Sequence, residues 1–191
     1  MTEKPKRIIV GISGASGVIY GVRALELLRT ARVETHLVVS KAAEMTLAYE
    51  SDLTLKDLRG LADHCHPVGD IGASISSGSF RTLGMVIAPC SIRTMSEIAT
   101  GVTGSLMSRA ADVVLKERRR LVLAVRETPL HSGHLRTMLQ LSEMGASICP
   151  VVPAFYNKPK TLDDIVKHTV GRLLDLFDID VGTVKRWKAE D

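Results

Sequence analysis

The stretch RIIVGISGASG, residues 7–17, decides the fold of this 191-residue chain. Its first six residues form a mostly β-branched, apolar run, and a cluster of glycines and other small residues follows at once. Beyond the glycines, Val18, Val22, Leu25 and Leu28 recur at the spacing of one helix face. The stretch therefore predicts a buried strand, a tight loop and a helix, which together begin a βαβ unit.

The rest of the chain repeats this alternation of short apolar runs and longer helical patterns, as parallel βα units do. Further strands are predicted at residues 33–39, 85–88, 121–125 and 147–152, and helices at residues 41–49 and 163–177. Thr54 and Asp57 have the spacing of a helix cap. We expect one α/β domain over residues 1–191, with helices covering a parallel sheet.

Composition narrows the class of protein. Hydrophobic residues make up 45% of the chain and aromatic residues only 4%, so the core is expected to consist of Val, Ile, Leu and Ala. The net charge of +4 suits anionic small molecules, but it is a weak signal for nucleic acid, and we expect no nucleic-acid partner. Three widely spaced cysteines, no signal sequence and no membrane span predict a cytoplasmic protein without disulfides.

The glycine loop is built to approach a phosphate closely, because small residues expose backbone N–H groups near a helix N-terminus. Its spacing, Gly-x-x-Gly-x-x-Gly from Gly11 to Gly17, departs from the Gly-x-Gly-x-x-Gly of dinucleotide-binding proteins. No Gly-Lys-Ser or Gly-Lys-Thr follows, and Ser40-Lys41 replaces the acidic residue expected after the second strand. A phosphate-bearing cofactor is favoured over a turn made only for packing, and an NAD enzyme is the runner-up.

Two further loops follow predicted strands and are expected at the same sheet edge. Residues 89–94, Pro-Cys-Ser-Ile-Arg-Thr, offer hydroxyls and a cation before a helix. Arg126 and Glu127 place a cation beside an acid after the fourth predicted strand. Cys90 has no histidine nearby in sequence, and we interpret it as a small buried residue.

Histidines and basic residues outside these loops give weaker evidence of a functional site. His64 and His66, separated by Cys65, lack a matching pair elsewhere in the sequence, so an ordinary loop is favoured over a zinc site. His131 and His134 lie three apart and are interpreted as surface or helix-start residues. The basic run 116–120 is typical of a solvated helix end.

Several separated motifs, in order from about Arg7 to Trp187, together resemble the UbiX/Pad family of flavin prenyltransferases. The motifs that carry the resemblance are Gly14-Ala15-Ser16-Gly17, Ser40-Lys41-Ala42-Ala43, Pro89-Cys90-Ser91, Arg109-Ala110-Ala111-Asp112-Val113, Lys116-Glu117-Arg118, Arg126-Glu127-Thr128-Pro129 and Phe155-Tyr156. The resemblance implies a flavodoxin-like or Rossmann-like three-layer α/β sandwich, a homododecamer and chemistry without a metal. It also implies transfer of a dimethylallyl group from dimethylallyl phosphate to N5 and C6 of reduced FMN, for use by a UbiD-type decarboxylase.

The resemblance also assigns residues to the site. FMN is expected on Gly14, Ala15, Ser16, Ser40, Ser91, Ile92, Arg93, Thr94 and Arg126, with its phosphate on Gly14, Ala15 and Ser16. The phosphate of the prenyl donor is expected on Tyr156, Arg172, Lys116 and Arg109. Glu127 and Glu50 are expected to move protons, Ser16 to hydrogen-bond near N5, and Lys116 to neutralise the departing phosphate.

Two rival functions stay open. A related FMN-dependent cysteine decarboxylase shares the fold, but such enzymes carry a catalytic histidine before the strand at residues 85–88, where this chain has Ser77-Gly78-Ser79. The second rival, a non-catalytic flavin carrier, does not explain the presence of Lys116 and Glu127. Some family members place a tryptophan from the corresponding segment over the prenyl group, but residues 70–75 of this chain contain no aromatic side chain. A prenyl donor slightly different from dimethylallyl phosphate therefore stays open.

Overall fold

A computed structural model describes residues 6–186, so Trp187, where the resemblance ends, lies outside the described residues. Six parallel strands form one sheet in the order β3-β2-β1-β4-β5-β6. The strands are β1 (Arg7–Ile12), β2 (Glu34–Val39), β3 (His64–His66), β4 (Gly84–Cys90), β5 (Arg120–Val125) and β6 (Ser147–Ile148).

Seven α-helices accompany these strands in residues 6–186, together with a 3₁₀ turn at Ser74–Ser76. The helices are α1 (Val18–Thr30), α2 (Lys41–Glu50), α3 (Leu55–Arg59), α4 (Ile92–Ala99), α5 (Leu106–Lys116), α6 (Ser132–Glu143) and α7 (Leu162–Asp175). Within this part of the chain, no helix combines the length and the apolar character needed to cross a bilayer.

Two apolar layers, one on each face of the sheet, follow from the period-2 alternation of the strands. Along β1, Ile8 and Val10 face the layer that includes residues of α1, α2, α3 and α7, whereas Ile9 faces the layer of α4, α5 and α6. All three side chains are buried, as is expected for a parallel sheet covered on both faces. The three-layer α/β prediction is confirmed.

The strand order fixes where a ligand site belongs. The chain winds outward from β1 to β3 and then crosses back to β4, which pairs with the other side of β1. In open parallel sheets, ligands bind at the carboxyl ends of the strands beside such a reversal. The loops after β1 and β4 lie at this point.

Most predicted elements are confirmed within one or two residues, and the Thr54 and Asp57 cap of α3 is present. Two predictions are wrong. His64 to His66 is not a loop but a short edge strand, because it pairs in parallel register with β2. Strand β6 ends at Ile148 although backbone bonds continue to Val151, because Pro150 has no N–H and interrupts the ladder.

Candidate functional site

The loops after β1 and β4 are joined by a fully buried serine, Ser13. Its hydroxyl donates to the Pro89 carbonyl at 3.0 Å and accepts from the Ser91 backbone N–H at 2.7 Å. The Ser13 backbone N–H donates to the same carbonyl at 3.2 Å. The two small-residue turns therefore lie side by side, as their positions after neighbouring strands predict.

Two helix N-termini converge next to these turns. Ser40 caps α2 by accepting from the Ala43 N–H at 3.1 Å, and Ser91 caps α4 by accepting from the Thr94 N–H at 3.3 Å. The first N–H groups of each helix have no partner inside the helix, and both helix dipoles are positive at this end. Both termini open into one cavity of about 370 Å³, whose walls include Gly14, Ser40, Ser91, Arg93, Thr94 and Ser105. The donor set suits a phosphate.

The N-terminus of α1 is arranged differently, because the Glu50 carboxylate occupies it. Glu50 accepts from the backbone N–H groups of Gly17 at 2.8 Å and Val18 at 3.0 Å, and Gly17 adopts the left-handed φ of 104° that a glycine allows. Burial raises the pKa of Glu50, but hydrogen bonds from the Ser16 hydroxyl and these N–H groups, with the charge of Arg126, outweigh it and lower the pKa. The N–H groups of Gly17 and Val18 therefore already have a partner, whereas the phosphate contacts were predicted at Gly14, Ala15 and Ser16.

A second cavity of about 550 Å³ lies on the other side of the loop at Ser16 and Gly17. Its walls are mainly apolar and come from α1, α7 and the chain after β6. The Tyr20 phenol, the Arg126 side chain and Asp163, which is paired with Lys167, are among its polar groups. Burial raises the pKa of the Tyr20 phenol, and the nearby charge of Arg126 opposes that rise in part. An apolar wall with one cation suits a flat, partly polar ring system.

Arg126 and Glu127 follow β5 directly, as predicted. The Arg126 N–H donates to the Cys90 carbonyl at 3.1 Å, which fixes this turn against the end of β4. The Glu127 side chain is exposed and accepts from the Thr128 N–H at 3.0 Å. Cys90 is fully buried, and burial raises the pKa of its thiol to about 12, which agrees with a packing role.

Tyr156 and Arg172 lie close to a histidine that the sequence analysis did not single out. The Tyr156 hydroxyl is 3.1 Å from Nε2 of His168, whose ring is 4% exposed. Arg172 is one helical turn further along α7 and pairs with Asp175 at 2.6 Å. The i, i+4 spacing of His168 and Arg172 was the available signal. Tyr156, His168 and Arg172 therefore form one polar group at the side of α7.

Lys116 and Arg109 both belong to α5 but lie at different levels of it. Arg109 is near the start of α5, by the ligand edge, and pairs with Asp112 at 2.8 Å. Lys116 ends the helix seven residues on, about 10 Å away along the axis, close to the start of β5 and paired with Glu117 at 2.6 Å. A single chain therefore does not bring Lys116 to Tyr156 and Arg172, because α5 runs antiparallel to the strands.

Comparison with known proteins defines the class first: residues 1–174 match the sequence model of the Flavoprotein family. The flavin prenyltransferase UbiX of Escherichia coli strain K12 is 62% identical over 175 residues, which cover 91% of this chain and 93% of that protein. The chain belongs to the UbiX family of flavin prenyltransferases, as the motif resemblance predicted.

Solved structures agree with this assignment. The crystal structure of AnUbiX (PadA1) in complex with FMN and dimethylallyl pyrophosphate has a TM-score of 0.96 and 49% identity, covering 98% of this chain and 100% of that one. A dodecameric FMN-dependent UbiX-like decarboxylase from E. coli O157:H7 has a TM-score of 0.93 and 49% identity, covering 96% and 100%. The FMN-dependent cysteine decarboxylase TvaF has 14% identity and a TM-score of 0.65, so its likeness shows the fold alone.

Proposed function

We propose that this protein transfers the dimethylallyl group of dimethylallyl phosphate to N5 and C6 of reduced FMN, and that a UbiD-type decarboxylase receives the product. The observation that carries the proposal is the pair of cavities on either side of the Gly14 to Gly17 loop. One has the helix N-termini that a phosphate needs, and the other has the apolar wall and the cation that a flavin ring needs.

The donors of this chain fit FMN, with one change from the sequence expectation. The FMN phosphate is assigned to the N-termini of α2 and α4, with Ser40, Ser91 and Thr94 and the N–H groups of Ile92 and Arg93. Gly14, Ala15 and Ser16 then border the middle of the cofactor, because Glu50 holds the α1 terminus. Arg126 reaches the ring from the neighbouring cavity.

Reduced FMN, when bound, supplies the nucleophilic atoms that form bonds to the dimethylallyl group. The protein must neutralise the phosphate that leaves with the electrons of the broken C–O bond. Arg172, the Tyr156 hydroxyl, Arg109 and Lys116 are the donors assigned to it. Three arginine and lysine side chains with one phenol stabilise this charge without a metal ion.

The position of Lys116 makes this assignment depend on a second copy of the chain. Lys116 lies at the opposite edge of the sheet from the cavities of its own chain, so only a neighbouring copy can bring it to a donor phosphate. The dodecameric E. coli relative supports a homo-oligomer, and we assign a dodecamer to this protein. The site is then complete only in the assembly.

Proton transfer is assigned to Glu127 and Glu50. Glu127 is the base that accepts a proton as the new bonds form, because it follows the cavity-lining Arg126, is exposed and carries no ion pair in residues 6–186. Glu50 accepts a hydrogen bond from the Ser16 hydroxyl, so Ser16 is assigned to relay a proton and Glu50 to receive it.

The reaction is tested by phosphate release under anaerobic conditions. The full-length protein with reduced FMN and dimethylallyl phosphate is expected to release one inorganic phosphate per flavin, and oxidised FMN is expected to support none. Release that is independent of the flavin would indicate a phosphatase. Loss of CO₂ from an aromatic acid by this protein alone, without phosphate release from the donor, would favour the decarboxylase alternative.

His168 is expected to position Tyr156. Replacing His168 with Phe removes a hydrogen-bond partner of the Tyr156 hydroxyl, so the KM for dimethylallyl phosphate should rise by about threefold to tenfold while kcat and FMN affinity change little. His168→Gln, which keeps a polar partner, should recover part of the loss. Equal KM values for His168→Phe and wild type would remove His168 from donor binding.

Two wider assignments complete the proposal. Residues 1–191 are taken as one flavoprotein unit, supported by the family match over residues 1–174. A cytoplasmic location is supported by three cysteines that are all free thiols in the structure.

A further inference from the structure

Four polar side chains lie together on β2 and β3, away from the flavin cavities. Glu34 and His36 are two residues apart on β2, so their side chains lie on the same face of the sheet. Strand β3 pairs with β2 so that His64 lies opposite His36. His66 follows on the same face of β3. His64 and His66 have no matching pair nearby in sequence, and the fold brings them a histidine partner, His36, from the adjacent strand.

We propose that Glu34, His36 and His64 form a binding site for one divalent transition-metal ion of the zinc class, separate from the flavin site. One ligand atom from each of the three lies within 4.8 Å of the others. Glu34 Oε1 is 3.1 Å from His36 Nε2 and 3.6 Å from His64 Nε2. Tetrahedral zinc with bonds near 2.1 Å needs ligand atoms about 3.4 Å apart.

His36 is held in place for this role by a second histidine. Its ring is 4% exposed, Nδ1 is 3.0 Å from His66 Nε2, and the two rings are stacked. In the tautomer in which His36 Nδ1 donates to His66, the lone pair of Nε2 is directed at the Glu34 carboxylate. A cation between the Nε2 lone pair and the carboxylate would be attracted to both. Metal-binding histidines usually donate a hydrogen bond from the ring nitrogen that does not bind the metal, as Nδ1 of His36 does here in that tautomer.

Charge and access also suit a bound ion. Arg7 donates at 2.8 Å to Glu34 Oε1, the same oxygen that faces the two histidines. A carboxylate oxygen has two lone pairs, so Oε1 can keep this partner and bind a metal with the other. The His64 side chain is 54% exposed, so solvent reaches the fourth position.

The site is distant from the proposed chemistry. His36 precedes Ser40, at the flavin edge, by four residues of extended strand, or about 13 Å. A metal there would join the edge strand β3 to β2 and stabilise the fold without contacting the flavin. Its presence or absence therefore leaves the proposed prenyl transfer unaffected, and the two proposals fail independently.

The test uses untagged, full-length protein stripped with a chelator and titrated with Zn²⁺ in a calorimeter. Wild type is expected to bind one ion per chain, and His64→Ala and Glu34→Gln to bind it at least about tenfold more weakly. His134→Ala is the matched control, because it removes one histidine of a second pair of close rings, His131 and His134, whose centroids are 3.6 Å apart. Its zinc affinity should equal that of wild type.

Cobalt substitution reports the ligands directly. Co²⁺ added to wild type should give the visible absorption of a tetrahedral centre, and His64→Ala should lose it while keeping its FMN content and phosphate release. Failure of wild type to bind Zn²⁺, or an equal loss in His134→Ala and His64→Ala, would overturn the proposal and leave the histidines as a hydrogen-bonded stack only.

Discussion

Glu127→Gln is expected to slow formation of prenylated flavin by about two to four orders of magnitude and to leave FMN affinity unchanged. The amide keeps the size of the side chain and its acceptor oxygen toward the Thr128 N–H, but it cannot take up a proton at neutral pH. The rate is measured in a single anaerobic turnover with reduced FMN and dimethylallyl phosphate, and FMN affinity by flavin fluorescence.

Asp178→Asn is the matched control for this variant. Asp178 is an exposed carboxylate that pairs with Arg120 at the start of β5 and lines neither flavin cavity, so the change should have no effect on either measurement. Wild-type turnover by Glu127→Gln would exclude Glu127 from proton transfer. Glu50→Gln would then be the next variant to measure, since Glu50 is the other carboxylate beside Ser16.

Gly14→Ala is expected to weaken FMN binding by about 5- to 150-fold. A Cβ at position 14 would overlap the Cβ of Ala42 and lie 3.1 Å from the Ala42 carbonyl carbon, so the loop or the start of α2 must move. Overpacking of this kind costs about 1–3 kcal/mol. An equal loss of binding free energy lowers the affinity for FMN by about 5- to 150-fold. The displaced groups line the phosphate cavity, so the affinity for FMN reports the shift.

A double variant separates this contact from a general loss of stability. Adding Ala42→Gly removes the overlapping methyl group and should recover part of the FMN affinity of Gly14→Ala, while the backbone contact at 3.1 Å remains. Gly69→Ala is the control, because a Cβ there meets no atom within 4 Å. Unchanged FMN affinity in Gly14→Ala would place the phosphate away from α2.

The layers of the fold were predictable because they depend on local patterns. The β-branched run of β1, the glycines after it and the helical spacing from Val18 to Leu28 each indicate one element, and alternation of such elements implies a parallel sheet. The short edge strand β3 was missed because its three residues, His64 to His66, are mostly exposed and carry no apolar signal. Its pairing depends on the neighbouring strand, which is distant in sequence.

The site was predictable as a set of loops but not as a set of contacts. Parallel topology brings the turns at Gly14, Ser91 and Arg126 to one edge, so their proximity follows from strand order. The bond from Glu50 to the N-terminus of α1 and the distance of Lys116 from Tyr156 depend on how helices pack on the sheet. Residue spacing within one helix or loop does not contain that information.

The mass of the flavin released from the protein after anaerobic reaction tests the central claim most directly. With reduced FMN and dimethylallyl phosphate, full-length wild type should yield a flavin heavier than FMN by one prenyl unit, and Glu127→Gln should yield mostly unmodified FMN in the same time. Recovery of unmodified FMN alone from wild type that has bound both compounds would contradict the account.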